Sequence, residues 1–267
     1  MLANINLNTI IPNYDIIFIT LDSLRYDVSQ QLFNEGKLPN FSKWLPNAGW
    51  EKRYTPASFT YPAHLAFFSG FLPTKIGQQI TPRLFASSFE GSESTNKNTF
   101  VFKESNFIEA LANKGYTTVC IGGVGFFNKK NAIGNVLPGM FQHSEWNEQL
   151  GVTEKDSTFF QFKTAEKYLN DVNPLCLFIN ISATHQPTHF YLEGKQNDDI
   201  ETHAAALQYV DSQLSILQER LKTRNTNKLI IVCSDHGTAY GEHDHWGHRN
   251  AHETVMTVPY LEYLSKC

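Results

Sequence analysis

The sequence has no C-x-x-C pair. Its four cysteines, Cys120, Cys176, Cys233 and Cys267, stand far apart. That excludes a cysteine-ligated zinc site and a disulfide framework. The first three lie in apolar, strand-like runs, which suits buried free thiols and a reducing compartment. A cytoplasmic protein is the expectation. No stretch approaches the roughly 18 apolar residues of a membrane span. The N-terminal MLANINLNTIIPNYD has neither the charged start nor the long apolar core of a secretory signal. A membrane is therefore not an expected partner. Nucleic acid is not expected either, because the net charge is −4 and no long basic run occurs. The Gly-rich GGVGFFN at 122–128 lacks the G-x-G-x-x-G spacing, which excludes a dinucleotide fingerprint. No repeat, low-complexity tract or linker divides the 267 residues. A single domain, 1–267, with room for a sizeable core is the expectation.

What the sequence does hold is histidine, concentrated in one place. Five of its ten histidines fall between 236 and 252, around the stretch KLIIVCSDHGTAYGEHDHWGH at 228–248. Leu229 to Cys233 is an apolar, β-branched run that stops at Ser234, Asp235, His236 and Gly237. That pattern predicts a buried parallel strand delivering Asp235 and His236 to its carboxyl end. Ligands of open α/β sheets bind outside such ends. An Asp beside a His suits a divalent metal, one giving a hard oxygen and the other a borderline nitrogen.

The same pattern recurs along the chain. DIIFITL at 15–21 predicts a first buried strand ending in Asp22. LCLFINIS at 175–182 predicts another, leading through Thr184 to His185 and His189 on a Pro-containing loop. TTVCIGG at 117–123, WEKRYT at 50–55 and TVPYLEYL at 257–264 predict further strands, the last near an edge because of Pro259. Helices are predicted over 38–48, 63–69, 104–114, 157–171 and 199–222, with 128–155 irregular. His203, on the 199–222 helix, has a structural role. Pro62 fits the first turn of the 63–69 helix and Gly70 its stop. Thr60 then stands at the helix start, where unsatisfied N–H groups favour negative charge. Taken alone, Thr60 reads as an N-cap. Residues 71–103, polar and without periodicity, read as a surface excursion able to cover a substrate. Alternating strands and helices predict an α/β fold, with a mostly parallel central sheet sandwiched by helices.

With these segments placed, the chain resembles the alkaline phosphatase/sulfatase superfamily over nearly its whole length. D-S-L-R-Y-D at 22–27 looks like the first metal-ligand strand end. T-Y-P-A-H-L-A-F-F-S-G at 60–70 is similar to the sulfatase C-x-P-S-R segment, and closer to the T-F-P-N-H form of nucleotide pyrophosphatases and phosphodiesterases. I-S-A-T-H-Q-P at 181–187, S-D-H-G at 234–237, G-E-H-x-x-W-G-H at 241–248 and V-P-Y at 258–260 follow in family order. The resemblance implies an alkaline-phosphatase-like fold without the C-terminal subdomain of longer relatives. It further implies a metal site of Asp22, Thr60, Asp235 and His236, with Thr60 as nucleophile. His185 and His248 would be catalytic, and they would bind a small anionic ester together with His64, which stands where the sulfatase signature has Arg. The ion would be zinc or manganese rather than calcium, and one ion rather than two. A second ion would fall to His185, His189, His248 and His252.

Departures from the family pattern shape the expected chemistry. Thr60 replaces the cysteine that ordinary sulfatases convert to formylglycine, so that route is closed. Gly123 and His248 stand where sulfatases place lysines. The resemblance therefore implies a metal-dependent hydrolase or transferase of a phosphate-type ester. A sulfate-ester or phosphonate hydrolase is an alternative. So is a non-catalytic descendant that binds metal or anion for a partner enzyme, and so is a metalloenzyme in which a His-bound metal activates water and Thr60 only caps a helix. A second copy or a partner chain could cover the open pocket.

Overall fold

Apolar β-branched runs without a polar face make strands that must be covered on both sides. The computed structural model describes residues 5–70, 84–88 and 96–267. In chain order its elements begin with α1 (Leu7–Ile10), β1 (Tyr14–Leu21), α2 (Tyr26–Asn34), β2 (Glu51–Tyr54), α3 (Thr60–Ser69), β3 (Phe85–Ser87), β4 (Phe100–Phe102) and α4 (Phe107–Ala112). They continue with β5 (Thr117–Ile121), α5 (Ala132–Val136), β6 (His143–Glu145), α6 (Ser157–Ala165), β7 (Leu175–Ile181) and α7 (Ile200–Thr223). The last are β8 (Asn227–Cys233), β9 (Ala239–Tyr240), β10 (Trp246–Gly247), α8 (Glu253–Met256) and β11 (Thr257–Ser265).

Among the described residues, seven strands form one sheet in the order β2-β11-β8-β1-β7-β5-β6. β8, β1, β7, β5 and β6 pair in parallel. β11 runs antiparallel to both its neighbours, so the fold is α/β with a mostly parallel sheet. β1 stands mid-sheet, which puts the carboxyl ends of β8, β1 and β7 side by side.

Side chains alternate across a strand, so each central strand feeds two cores. Ile17, Ile19 and Leu21 of β1 join one cluster with Val28 and Leu32 of α2, Phe162 of α6 and Leu207, Val210, Leu214 and Leu217 of α7. Ile16 and Phe18 join the other, with Phe68 of α3 and Phe107, Ile108 and Leu111 of α4. The second alternation sets up the site. Continued along β1, the line Ile16, Phe18 leads to Thr20 and Asp22. In β7, the line Cys176, Phe178 leads to Asn180; in β8, Leu229, Ile231 and Cys233 lead toward Asp235. Register places Thr20 beside Asn180 on one side and Cys233 on the other.

Three sequence expectations change. The helix expected over 38–48 is only a 3-10 turn, Phe41–Lys43, pinned by Asp211 of α7, whose carboxylate accepts from the N–H groups of Asn40 and Phe41. The 128–155 stretch contains the edge strand β6 and the short helix α5. Helix α2 forms where the sequence shows no clear apolar period; only Val28 and Leu32 are buried apolar residues on it. Most of the expected 71–103 excursion lies outside the described residues. Within its described part, β3 and β4 form a two-stranded parallel pair.

Candidate metal centre and nucleophile

Thr60 is the first residue of α3, not its cap. Phe59 holds the N-cap position and supplies no side-chain hydrogen bond to the first turn. The Thr60 hydroxyl turns to the sheet instead. Its Oγ1 lies 3.4 Å from Oδ2 of Asp22 and 3.3 Å from Nε2 of His236. His236 Nε2 is 3.8 Å from Asp22 Oδ1 and 3.4 Å from Asp235 Oδ2. All four side chains are buried, Thr60 the most exposed at 2 %. The superposed strand ends and one helix start therefore converge on one point, as the sequence suggests.

Each group is held by a second set of contacts. The Nδ1–H of His236 donates to the Gly237 carbonyl at 2.8 Å, which leaves Nε2 as the free lone pair. Asp22 accepts from Ser23 Oγ at 3.1 Å and from Asn180 Nδ2 at 3.2 Å. Asp235 Oδ1 accepts from the backbone N–H groups of Ser23, at 3.1 Å, and His236, at 3.0 Å. Its Oδ2 is buried and has no hydrogen-bond partner among the described residues. At the other end of β1, buried Asp15 is gripped by Arg224 through Nε at 2.6 Å and Nη2 at 3.0 Å. Among the described residues Asp235 has no such cation.

Burial and the neighbouring Asp22 charge push the Asp235 carboxyl well above the usual range. Burial also opposes ionisation of Asp22, yet His185, His236, His64 and the Asn180 hydrogen bond hold its pKa below the ordinary value. Burial lowers His236. Two buried carboxylates and an imidazole kept neutral make a donor set short of positive charge. Among the described residues, Asp22, Asp235 and His236 offer ligand atoms within 4.8 Å of one another. The orphan Oδ2 and the oxygen-rich donors fit a divalent metal, which supplies the missing charge.

The other sequence candidates divide. His185 and His248 do flank the centre. The His248 ring lies 4.7 Å from that of His236 and 5.7 Å from that of His185. The His185 Nδ1–H donates to the Gln186 carbonyl at 2.5 Å. Burial, with His236 and His185 nearby, lowers His248 to about 4, so it is neutral at physiological pH. His64 is not positioned to hold an anion. It is fully buried. Its Nδ1–H donates to the Thr60 carbonyl at 2.8 Å, and its Nε2 accepts from Thr20 Oγ1 at 3.0 Å. Both ring nitrogens serve the protein, and burial lowers the group to about 4. His64 positions Thr60 from beneath. The second-ion set is not assembled either. His189 pairs with Asp198 at 3.2 Å, and His252 faces His243 at 3.0 Å. Only His185 and His248 of those four stand together. His203 is buried against Tyr240, in keeping with its structural reading.

Sequence reading missed three contributors. Asn180 donates to both Thr20 Oγ1, at 3.1 Å, and Asp22, while its Oδ1 accepts from the Val124 N–H at 3.0 Å. The signal was a single amide at the end of an apolar strand, on the α3-facing side. Arg249 follows His248. Its guanidinium lies 5.0 Å over the Phe59 ring, and its charge acts on both His236 and His248. Arg25 pairs with Asp27 at 2.6 Å and with Glu242, tying the first strand end to the G-E-H loop. Gly123 has a steric reason: a Cβ there would stand 2.2 Å from the Asn180 carbonyl oxygen.

Solved structures share this fold. The C-terminal periplasmic domain of the phosphoethanolamine transferase EptC from Campylobacter jejuni superposes with a TM-score of 0.64 at 15% identity, over 95% of this chain and 80% of that one. The corresponding domain of EcEptC from Escherichia coli, in complex with Zn, gives 0.64 at 14% identity, over 95% and 73%. A protein of the alkaline phosphatase superfamily from Vibrio parahaemolyticus gives 0.56 at 15% identity, over 94% and 60%. No curated protein matches the sequence. A family model described as Sulfatase matches residues 14–266. On that match the chain belongs to the sulfatase family.

Proposed function

We propose that this protein is a metal-dependent hydrolase or transferase of a phosphate-type ester, with Thr60 as the nucleophile. The observation that carries the reading is the Thr60 hydroxyl, uncommitted to capping and within 3.4 Å of both Asp22 and His236. A zinc or manganese ion held by Asp22, Asp235, His236 and Thr60 would supply the charge that acidifies the hydroxyl and draws the anion. Relatives in the family are hydrolases or transferases. Neighbouring structures include transferases of phosphoethanolamine, which agrees with phosphoryl chemistry.

The chain's own residues do the rest. Thr60 attacks phosphorus: its Oγ–P bond forms as the bond to the leaving oxygen breaks, and its hydroxyl proton passes through solvent to the departing oxygen. The N–H groups at the uncapped start of α3 face the charge that gathers on the phosphoryl oxygens. Arg249 adds a fixed positive charge at the rim. His248, neutral at working pH, takes the proton of the water that attacks phosphorus as the Oγ–P bond breaks and returns it to the released Thr60 oxygen, and His185 beside it contacts the anion. A reducing compartment, the cytoplasm, belongs to the same proposal. Cys120, Cys176 and Cys233 are free and buried, and Cys267 is free and exposed. No helix of the described residues is long and apolar enough to cross a membrane.

The test is a panel of aryl phosphate monoesters, diesters, phosphonates and sulfates, assayed with zinc or manganese. Thr60→Ala should lower turnover of the best substrate by a factor on the order of 10³ or more. Turnover of every active ester at the wild-type rate by Thr60→Ala would overturn the reading.

A further inference from the structure

The loop that brings His248 to the Thr60 centre does not hold its own course. Between 241 and 249, Gly241, His243, Asp244, Gly247 and Arg249 all have positive φ, and three of these are not glycine. Such backbone persists only where the surroundings fix it. His248 meets the centre through ring contacts, 4.7 Å to His236 and 5.7 Å to His185, so the course of the backbone decides where it stands.

Two anchors set that course. Downstream, the Arg249 N–H donates to the Ser58 carbonyl at 2.8 Å, two residues before Thr60. Upstream, the Glu242 carboxylate accepts from two directions. One oxygen takes the Tyr240 N–H at 2.6 Å, which shapes the turn out of β9. The other pairs with Arg25 Nη1. Among the described residues this is the one ion pair that 241–249 makes. Arg25 is a firm post for it. It is 2 % exposed and stands three residues past Asp22. Its Nε and Nη2 grip Asp27 at 2.9 and 2.6 Å, and Nη1 also reaches the Thr238 carbonyl at 3.4 Å. Asp27 in turn accepts from the Val28 N–H at 2.9 Å, in the first turn of α2. A planar guanidinium serves these acceptors at once, where an ammonium cannot.

We infer that Glu242 is a positioning residue for the reaction: paired with Arg25, it locks residues 241–249 and so sets His248 and Arg249 against the strand end that carries Asp22. It acts through those two groups and not on a reacting atom. The inference rests on Thr60 as nucleophile, with His248 and Arg249 at its rim.

One arm of the test needs neither substrate nor metal. In the full, chelator-treated chain, Glu242→Ala should speed amide exchange across 241–249 at least about tenfold, as losing a hydrogen bond to a charged group does, and leave β1 and β8 unchanged. Turnover and zinc titration make the second arm. Glu242→Ala should lower kcat/KM roughly 10–100-fold, on the order of what a 1 Å misplacement costs. Added to His248→Ala and Arg249→Gln together, it should cost less than about threefold more, because the groups it positions are gone. Zinc affinity should change less than about threefold, since Asp22, Asp235 and His236 stand at strand ends. Glu242→Gln keeps one of the two hydrogen bonds and should fall between wild type and Glu242→Ala in both arms. Unchanged loop exchange in Glu242→Ala, an equal loss of kcat/KM in both backgrounds, or zinc binding that weakens as far as kcat/KM would each overturn the inference. Thr60→Ala turning over at the wild-type rate would remove the nucleophile and leave the exchange result standing.

Discussion

The backbone N–H of Ser23, just past the end of β1, donates at 3.1 Å to Oδ1 of Asp235, just past the end of β8, while the other oxygen of that carboxylate has no partner. The two strand ends are thus locked together around a charge that the described residues leave uncompensated. This predicts how metal-free protein responds to pH. The Asp235 carboxyl is raised in the folded state, so above the ordinary carboxylate range the folded state holds more protons than the unfolded. Its contribution favours folding at acid pH and is lost as pH rises through the raised value. In chelator, Asp235→Asn should therefore melt higher than wild type at neutral pH, with the gap narrowing toward pH 4. With zinc at 100 times its dissociation constant, wild type should gain about 2.7 kcal/mol, and the variant should gain little. Thermal melts across pH check this; a metal-free variant less stable than wild type at neutral pH contradicts it.

Asn180 connects Asp22, Thr20 and the Val124 N–H. Through Thr20 and His64 it also steadies the Thr60 carbonyl. Asn180→Ala strands three buried polar groups. It should cost about 1–3 kcal/mol of stability and weaken metal binding about 10–100-fold. Denaturant unfolding and zinc titration read the two effects separately. Unchanged zinc affinity would remove Asn180 from the site's support.

At Gly123 the obstacle is backbone. Gly123→Ala puts a methyl 2.2 Å from the Asn180 carbonyl oxygen, which cannot move without disturbing β7. A loss of about 1–3 kcal/mol is expected. Gly123→Lys should fail likewise, installing no useful cation. A Gly123→Ala protein as stable as wild type in urea would show that the strand gives way.

Arg249 is a permanent cation whose charge acts on the neutral His248. Arg249→Gln should raise KM about tenfold, roughly 1.4 kcal/mol, with kcat little altered. It should also flatten the fall of kcat/KM with ionic strength that an exposed cation produces. An unchanged salt dependence would place the anion out of its reach.

The reach of the sequence follows from what each contact depends on. Asp22, Asp235 and His236 were legible because apolar strands stop at them and parallel strands end together. Thr60 was legible because Pro62 and Gly70 frame its helix. His64 was misassigned because a residue one helical turn from Thr60 can point to the anion or to the core. Only packing against Phe127 and Phe178, with Thr20 beneath, decides it. The family resemblance groups His189 and His252 with His185 and His248. The loops' courses, set by Asp198 and by the left-handed residues at 243–244, separate them. Asn180 was hidden by its strand, and β6 by its three-residue length.

Turnover through Thr60 requires a covalent bond between its Oγ1 and phosphorus. The direct measurement is acid-quenched turnover of an aryl phosphate with zinc or manganese present, followed by peptide mass spectrometry of the 51–70 region. A phosphoryl group on Thr60 is expected, absent from Thr60→Ala and diminished in Asp235→Asn. Robust turnover with no phosphoryl adduct on Thr60 under any quench, together with an active Thr60→Ala, would contradict it.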